Sequence, residues 1–346
     1  MIADSLLKLK LKGLAYSRLA LYTAESLPII YSRRFFDPRA NRPEDLPKDH
    51  RTHLIEAFNS MLDEDIKNVK EGLYSEKLVL PEPALDHLKR YFGIWYDSLL
   101  SAYRKSKNQS KVFSKDAEPY LDDLPDYYKR NFHYQTDGYL SETSAEMYSH
   151  QTEILFQGTL SLMRRVLMGP ILRDLNLRSS KVRVLEIGCG AGELTEILLE
   201  SKADLDLTCI DLSEPYLKVA KKRFAGRDGV EFLKRNGEDF SSKTKFDLIV
   251  SGYLFHELPF EARVRVMENS KRLLKKGGRV AAIDSLQLAD SPQFDWALKQ
   301  FPKDFHEPFY TNYTKSPLEN LIDFDGHEKS TKKAFLSKLV FSKPTS

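Results

Sequence analysis

Hydrophobic patterning is clearest in the second half of the chain, where short apolar runs alternate with segments of helical period. Val182-Arg183-Val184-Leu185 leads into Glu186-Ile187-Gly188-Cys189-Gly190-Ala191-Gly192, after which Leu194, Ile197 and Leu198 recur at helical spacing. The period changes across the glycines, so a buried strand is expected to enter a tight turn and then a helix. Thr208-Cys209-Ile210-Asp211-Leu212 is a second apolar run, and Ser213 is placed to cap a helix whose Leu217, Ala220 and Phe224 share one face. Val230 to Leu233, Phe246 to Gly252 and Arg279 to Asp284 predict three more strands. The helix before the last carries Val266, Met267, Ser270, Leu273 and Leu274 and is expected to stop at Lys275-Lys276-Gly277-Gly278. Five strands alternating with helices over residues 180–285 predict an α/β fold with a doubly wound, mostly parallel sheet.

The first 150 residues show helical periodicity at Leu54, Ala57, Phe58, Met61 and Leu62, and again at Leu85, Leu88, Tyr91, Phe92, Trp95 and Leu99. Pro43, Pro47, Pro81 and Pro83 break it, and Lys105 to Lys111 forms a polar loop. These features predict a mainly helical accessory region over residues 1–150 that caps the substrate site of a catalytic domain spanning 151–346. Leu6 to Ile30 interleaves leucines with Lys8, Lys10, Lys12 and Arg18. A helix packed on the core is the favoured reading there, with peripheral membrane contact as the alternative.

A glycine turn between a strand and a helix is a ligand site, because backbone without Cβ allows positive φ and close approach of a ligand. A dinucleotide fingerprint counted from Gly188 needs a small third residue where Glu193 stands, and no Lys-Ser/Thr follows the glycines as a phosphate loop requires. The spacing Glu186-x-Gly188-x-Gly190-x-Gly192 resembles the first motif of the class I S-adenosylmethionine-dependent methyltransferases. The resemblance continues through Asp211-Leu212, at the end of the second strand, where doubly wound folds place the acid that accepts ribose hydroxyls. Asn236-Gly237-Glu238-Asp239 stands where the family usually has Gly-Asp-Ala-Glu. Asn236 falls on the residue that accepts from the adenine amine, a role Asp239 could share. Phe246 to Gly252, including Ser251, resembles the fourth motif. The following Tyr253-Leu254-Phe255-His256-Glu257-Leu258-Pro259 is similar to the Leu-His-His-Leu-Pro segment of small-molecule methyltransferases.

The resemblance implies a seven-stranded Rossmann-like sheet and S-adenosylmethionine as cofactor, held by Glu186, Gly188, Gly190, Gly192, Asp211, Leu212, Asn236, Gly237, Glu238 and Ser251. His256 follows the fourth strand on the crevice side and is the candidate general base, ahead of Glu257 and His306. Two aromatic, polar loops, Asn131 to Leu140 and Phe301 to Tyr313, supply acceptor-pocket candidates. These are Tyr134, Tyr139, His306 and Tyr310, together with Tyr253.

Composition narrows the partners. The chain has 346 residues, 41% hydrophobic, and a net charge of +3, so it can bury a large core and shows no basic stripe for nucleic acid. Lys329, Lys332, Lys333, Lys338 and Lys343 read as a solvated face. With only Cys189 and Cys209, neither a disulfide framework nor a cysteine metal site is expected, and no metal is assigned. No apolar run reaches the ~18 residues of a membrane-spanning helix and no signal-like segment opens the chain, which predicts a cytoplasmic protein. The expected activity is methyl transfer to a small or lipid-like acceptor, with a protein methyltransferase or a non-catalytic cofactor-binding module as alternatives. The Asn/Asp-Pro-Pro-Tyr/Phe signature of nucleic-acid amino methylation is absent, and Glu193 places a dehydrogenase last.

Overall fold

The computed structural model describes residues 2–36, 46–201 and 203–345; Pro43 lies outside them. The N-terminal half is helical: α1 (Ile2–Phe36), α2 (His50–Lys70), α3 (Ala84–Ser106), α4 (Glu142–Leu155) and α5 (Leu160–Asn176). Then β1 (Val182–Ile187), α6 (Glu193–Leu199), β2 (Leu205–Asp211), α7 (Glu214–Arg223), β3 (Val230–Lys234), β4 (Phe246–Gly252), α8 (Phe260–Leu273) and β5 (Leu274–Ser285) alternate as the hydrophobic periods require. Three short helices, α9 (Asp295–Asp304), α10 (Tyr310–Tyr313) and α11 (Leu318–Leu321), precede the hairpin strands β6 (His327–Ala334) and β7 (Ser337–Pro344).

The sheet has seven strands in the order β3-β2-β1-β4-β5-β7-β6. β1 to β5 are parallel, and β7 returns antiparallel between β5 and β6. The strand order reverses between β1 and β4, so the turns leaving their carboxyl ends flank the crevice where such sheets bind ligands. Two expectations change here. The helix α8 does stop at Leu273, but Lys275 to Gly278 belongs to β5, where the register with β4 shifts between Phe246 and Leu248. The lysine-rich tail is not a solvated face throughout. β6 is an edge strand with most side chains exposed, and charge on such an edge opposes pairing with another chain. Lys338, on β7, is 1% exposed and pairs with Asp290 and Glu319, each at 2.9 Å.

The helical half does not stand apart from the sheet. Leu11 of α1, Phe58, Met61 and Leu62 of α2, and Met163 and Leu167 of α5 share one apolar core with Val184, Leu248 and Ile283 of the strands. On the other face Leu185, Ile187 and Ile249 pack with Val266 and Met267 of α8 and with Tyr313 and Leu318. Residue 150, the expected boundary, falls inside α4. α1 buries Leu11, Tyr22 and Ile29, in line with the packed reading of that segment, and no helix among the described residues is long and apolar enough to cross a membrane.

Three helices are tied by a buried polar cluster. Glu25 of α1 bonds to His87 of α3 (2.6 Å) and His150 of α4 (2.9 Å), and His87 also meets Glu82 at 2.8 Å. Burial raises the Glu25 carboxyl, but the hydrogen bonds from His150 and His87 outweigh it and hold the group below its usual range.

Candidate active site

The glycine turn is built by strand end and helix start together. Gly188 and Cys189 donate their N–H groups to the Ile210 carbonyl, and Gly190 N–H donates to Asp211 Oδ2 at 2.8 Å. Asp211 Oδ1 accepts from Ser213 N–H, and Ser213 Oγ accepts from Tyr216 N–H as the cap of α7. Gly190 has φ +56°, and a Cβ there would make only ordinary contacts, with Glu193 Oε2 at 3.7 Å and Tyr216 Cδ1 at 3.9 Å. Gly192, at φ +92°, is different: a Cβ would lie 2.4 Å from the Phe224 ring. Gly190 therefore leaves room for a ligand, whereas Gly192 leaves room for α7.

A pocket opens above this turn. Its lining runs from Asn236 and Gly237 past Asp211 and Leu212 to Glu186, Gly188 and Gly190, and on to Arg164, Tyr253 and Glu257. Seven of the ten residues expected to hold cofactor line it. The other three do not. Gly192 packs on Phe224, Ser251 is buried in β4 opposite Ile187, and Glu238 turns aside to accept from Tyr127 (2.5 Å), Arg265 (2.6 Å) and Asn236 (3.2 Å). Asn236 keeps its carbonyl in the pocket loop, where Oδ1 accepts Glu238 N–H at 3.0 Å.

The opposite wall comes from the helical half. Tyr127, Tyr128, Phe132, Tyr139 and Tyr148 all line the same pocket. The accessory region thus covers the cofactor-type pocket as well as any acceptor, a role the sequence reading did not assign to it. Tyr127 and Tyr128 carried no local signal beyond being aromatic residues in a turn-rich stretch.

Buried acids shape the electrostatics. Glu186 is 1% exposed; burial raises its carboxyl to about 8, against the opposing hydrogen bonds from Thr195 Oγ1 (2.6 Å) and Cys209 Sγ (3.7 Å). Asp211 is also raised by burial, opposed by the N–H groups of Ser213, Gly190 and Leu212. At neutral pH Glu186 is protonated until a cation reaches it.

A second, mostly apolar cavity adjoins the first and shares Tyr148, Arg164, Tyr253 and Glu257 with it. Leu155, Phe156, Leu160, Leu298, Phe301 and Tyr310 form its apolar wall, and His133, His256 and Glu257 its polar side. Of the acceptor candidates, Tyr253 and Tyr310 line this cavity. Tyr139 lies in the first pocket instead, its hydroxyl donating to Glu257. Tyr134 and His306 line neither pocket; their rings pack on each other 5.3 Å apart.

His256 sits between β4 and the end of β5. Its Nδ1 donates to Asp284 Oδ1 at 2.7 Å, and Asp284 Oδ2 accepts the N–H of Phe255 at 2.8 Å, which fixes ring and loop together. Burial lowers the imidazole, but Asp284, Glu257 and Glu307 outweigh it and push it up to about 9. The ring is an imidazolium at neutral pH, so proton acceptance by His256 shifts from the ordinary histidine range expected for it to the alkaline side. Burial raises Glu257 to about 7 and carries Glu307 well above the carboxylate range.

Two sets among the described residues bring three metal-type ligand atoms within 4.8 Å of one another: Glu25, His87 and His150, and His133, Glu257 and Glu307. The first is closed by its own hydrogen bonds. In the second, His133 Nδ1 is 3.2 Å from Glu307 and its Nε2 3.9 Å from Glu257. Their separation in sequence hid both sets from any spacing argument.

Comparison with known proteins agrees with this geometry. Residues 185–280 match the family described as a methyltransferase domain. A malonyl-[acyl-carrier protein] O-methyltransferase of Paenibacillus sp. (strain JDR-2) is 32% identical over 113 residues, 31% of this chain and 40% of the relative. Ribosomal RNA small subunit methyltransferase C of Shewanella loihica is 34% identical over 108 residues, 30% of this chain and 31% of the relative. Among solved structures, human N-acetylserotonin methyltransferase in complex with SAM covers 75% of this chain and 70% of its own, at 15% identity and a TM-score of 0.49. The matched segment, residues 185–280, is a methyltransferase domain of the S-adenosylmethionine-dependent type. The chain spans two fifths or less of the length of these two sequence relatives. One relative carries ribosomal RNA in its name, so low basic charge by itself does not remove nucleic acid from the candidate acceptors.

Proposed function

We propose that this protein transfers the methyl group of S-adenosylmethionine to a small, largely apolar acceptor with an ionisable O–H or N–H. The observation that carries the reading is the pair of adjoining cavities that share Tyr148, Arg164, Tyr253 and Glu257, one built on the glycine turn and the other walled by apolar side chains. The pocket residues fit the cofactor chemically. Asp211 presents a carboxylate to ribose hydroxyls, Asn236 a carbonyl to an adenine amine, and Glu186 an acid to an ammonium. When bound, the cofactor supplies a sulfonium methyl as the electrophile.

The chain's own residues then align and deprotonate. Apolar walls at Leu155, Phe156 and Leu298 exclude water, and positioning of the nucleophile contributes the larger part of the acceleration. His256 Nε2 receives the acceptor proton while Asp284 holds Nδ1–H and stabilises the imidazolium that forms. A polynucleotide is disfavoured by the mostly apolar lining that α4, α5, α9 and α10 give this cavity rather than by net charge.

The test is transfer of label from methyl-tritiated S-adenosylmethionine into fractions of a cell extract. Label is expected in the low-molecular-mass fraction; label confined to RNA or protein would replace the acceptor class. With an acceptor in hand, His256→Ala should lower turnover by ~10²- to 10⁴-fold with little change in cofactor affinity. The parent's rate should rise with pH to a limb near 9, where His256 loses its proton. Asp284→Asn should move that limb downward, since the carboxylate is what raises the imidazole.

A further inference from the structure

Arg164 of α5 is 6% exposed, yet its guanidinium makes neither an ion pair nor a hydrogen bond with any described residue. Burial opposes its charge, and Glu193, Tyr148, Tyr253 and Glu153 outweigh that through their fields, the Tyr253 ring lying 5.2 Å away, without giving its donors a hydrogen-bond partner. Glu193 is engaged elsewhere, accepting from Ser149 Oγ at 2.8 Å, and Glu153 from Ser161 N–H at 2.7 Å. Compare Arg165, one residue on, whose Nε and Nη2 both bond the Asp65 carboxylate at 2.9 and 2.8 Å. A buried arginine with an unfilled fork of donors is costly unless an anion completes it, and the planar fork matches a carboxylate.

Its place in the pocket identifies which anion. Arg164 lines both cavities, whereas Asp211, Leu212, Asn236 and Gly237 line only the first. Arg164 thus stands at the junction, the end of the cofactor pocket that meets the second cavity, which none of the ribose and adenine candidates line. A cofactor whose ribose lies on Asp211 extends its amino-acid tail toward that end. Glu186, also in this lining, has a hydroxyl and a thiol as its hydrogen-bonding side chains and no cation. Arg164 and Glu186, each without an ion pair among the described residues, are two half-pairs in one lining that a zwitterion completes together.

We infer that Arg164 binds the α-carboxylate of the cofactor's amino-acid tail, opposite an ammonium on Glu186. This rests on the cofactor reading above and extends it to a residue outside the family match, which begins at residue 185. Arg164 is then a binding residue that sets affinity for the amino-acid part of the ligand and leaves the nucleoside part untouched.

Calorimetry on the full chain separates the two parts. S-adenosylhomocysteine and 5′-methylthioadenosine share adenosine and thioether, and the second lacks the amino-acid tail. Arg164→Met should weaken S-adenosylhomocysteine by about 10- to 100-fold, the worth of a charge-assisted hydrogen-bond pair. Affinity for 5′-methylthioadenosine should stay within about twofold by the same reasoning, and Arg164→Lys should recover part of the loss. Retained 5′-methylthioadenosine binding also shows that the variant is folded. Unchanged S-adenosylhomocysteine affinity overturns the inference, and an equal loss for both ligands overturns it in favour of a packing role. If the parent binds neither compound, the cofactor reading falls and this inference with it.

Discussion

At the residue scale, the site is a set of buried groups left incomplete by the protein itself. Glu186 shows the consequence for pH. Its folded carboxyl titrates near 8 against an ordinary 4.5, so between those values the folded chain keeps a proton that the unfolded chain has released. Stability from this group therefore falls as pH rises through that window. Glu186→Gln removes the penalty, and the ligand-free variant should melt at a higher temperature than the parent at pH 8 but not at pH 4. Binding of a cofactor ammonium ionises the parent residue. Titration with S-adenosylhomocysteine at pH 7 in buffers of different ionisation enthalpy should report release of up to about one proton, abolished in Glu186→Gln. A buffer-independent enthalpy in the parent would take the ammonium away from Glu186.

At the element scale, the glycines divide between ligand and packing, a distinction invisible in the motif. Gly192 caps the start of α6 at φ +92° with the ring of Phe224, the residue that ends α7, against it. Gly192→Ala must strain the backbone and displace that ring, so a loss of stability above ~1 kcal/mol is expected from thermal or urea unfolding. Per folded molecule, cofactor affinity should change less than for Gly190→Val, whose side chain enters the pocket. The reverse ranking would assign Gly192 to the ligand.

At the scale of the whole molecule, the helical half and the sheet stabilise each other. Cutting the chain before Ser149 would expose Met163, Leu167, Val184 and Leu248 where Leu11, Phe58, Met61 and Leu62 now cover them. It would also remove all five aromatic residues on the pocket's far wall. The fragment is expected to aggregate or to show no cooperative unfolding, with no measurable S-adenosylhomocysteine binding. A soluble fragment with the parent's affinity would restore the separable cap expected from the helical periodicity of residues 1–150.

Periodicity and turn chemistry alone determined the parallel strands, the glycine turn and the acid at the end of β2, because each depends on neighbours within a few residues. The motif likewise placed His256 at the crevice. Only the folded chain decided the rest. β6 and β7 escaped because His327 to Ala334 is an edge strand with polar side chains on both faces, and Lys338 is buried by partners at residues 290 and 319. The pH range in which His256 can take a proton was set by Asp284, Glu257 and Glu307, converging from three segments. Arg164 reads in sequence as one charge on an amphipathic helix. It is a site residue because α5 lies against the sheet with that position turned to the junction of two cavities, and charge without a partner is a property of three-dimensional surroundings that no local pattern encodes.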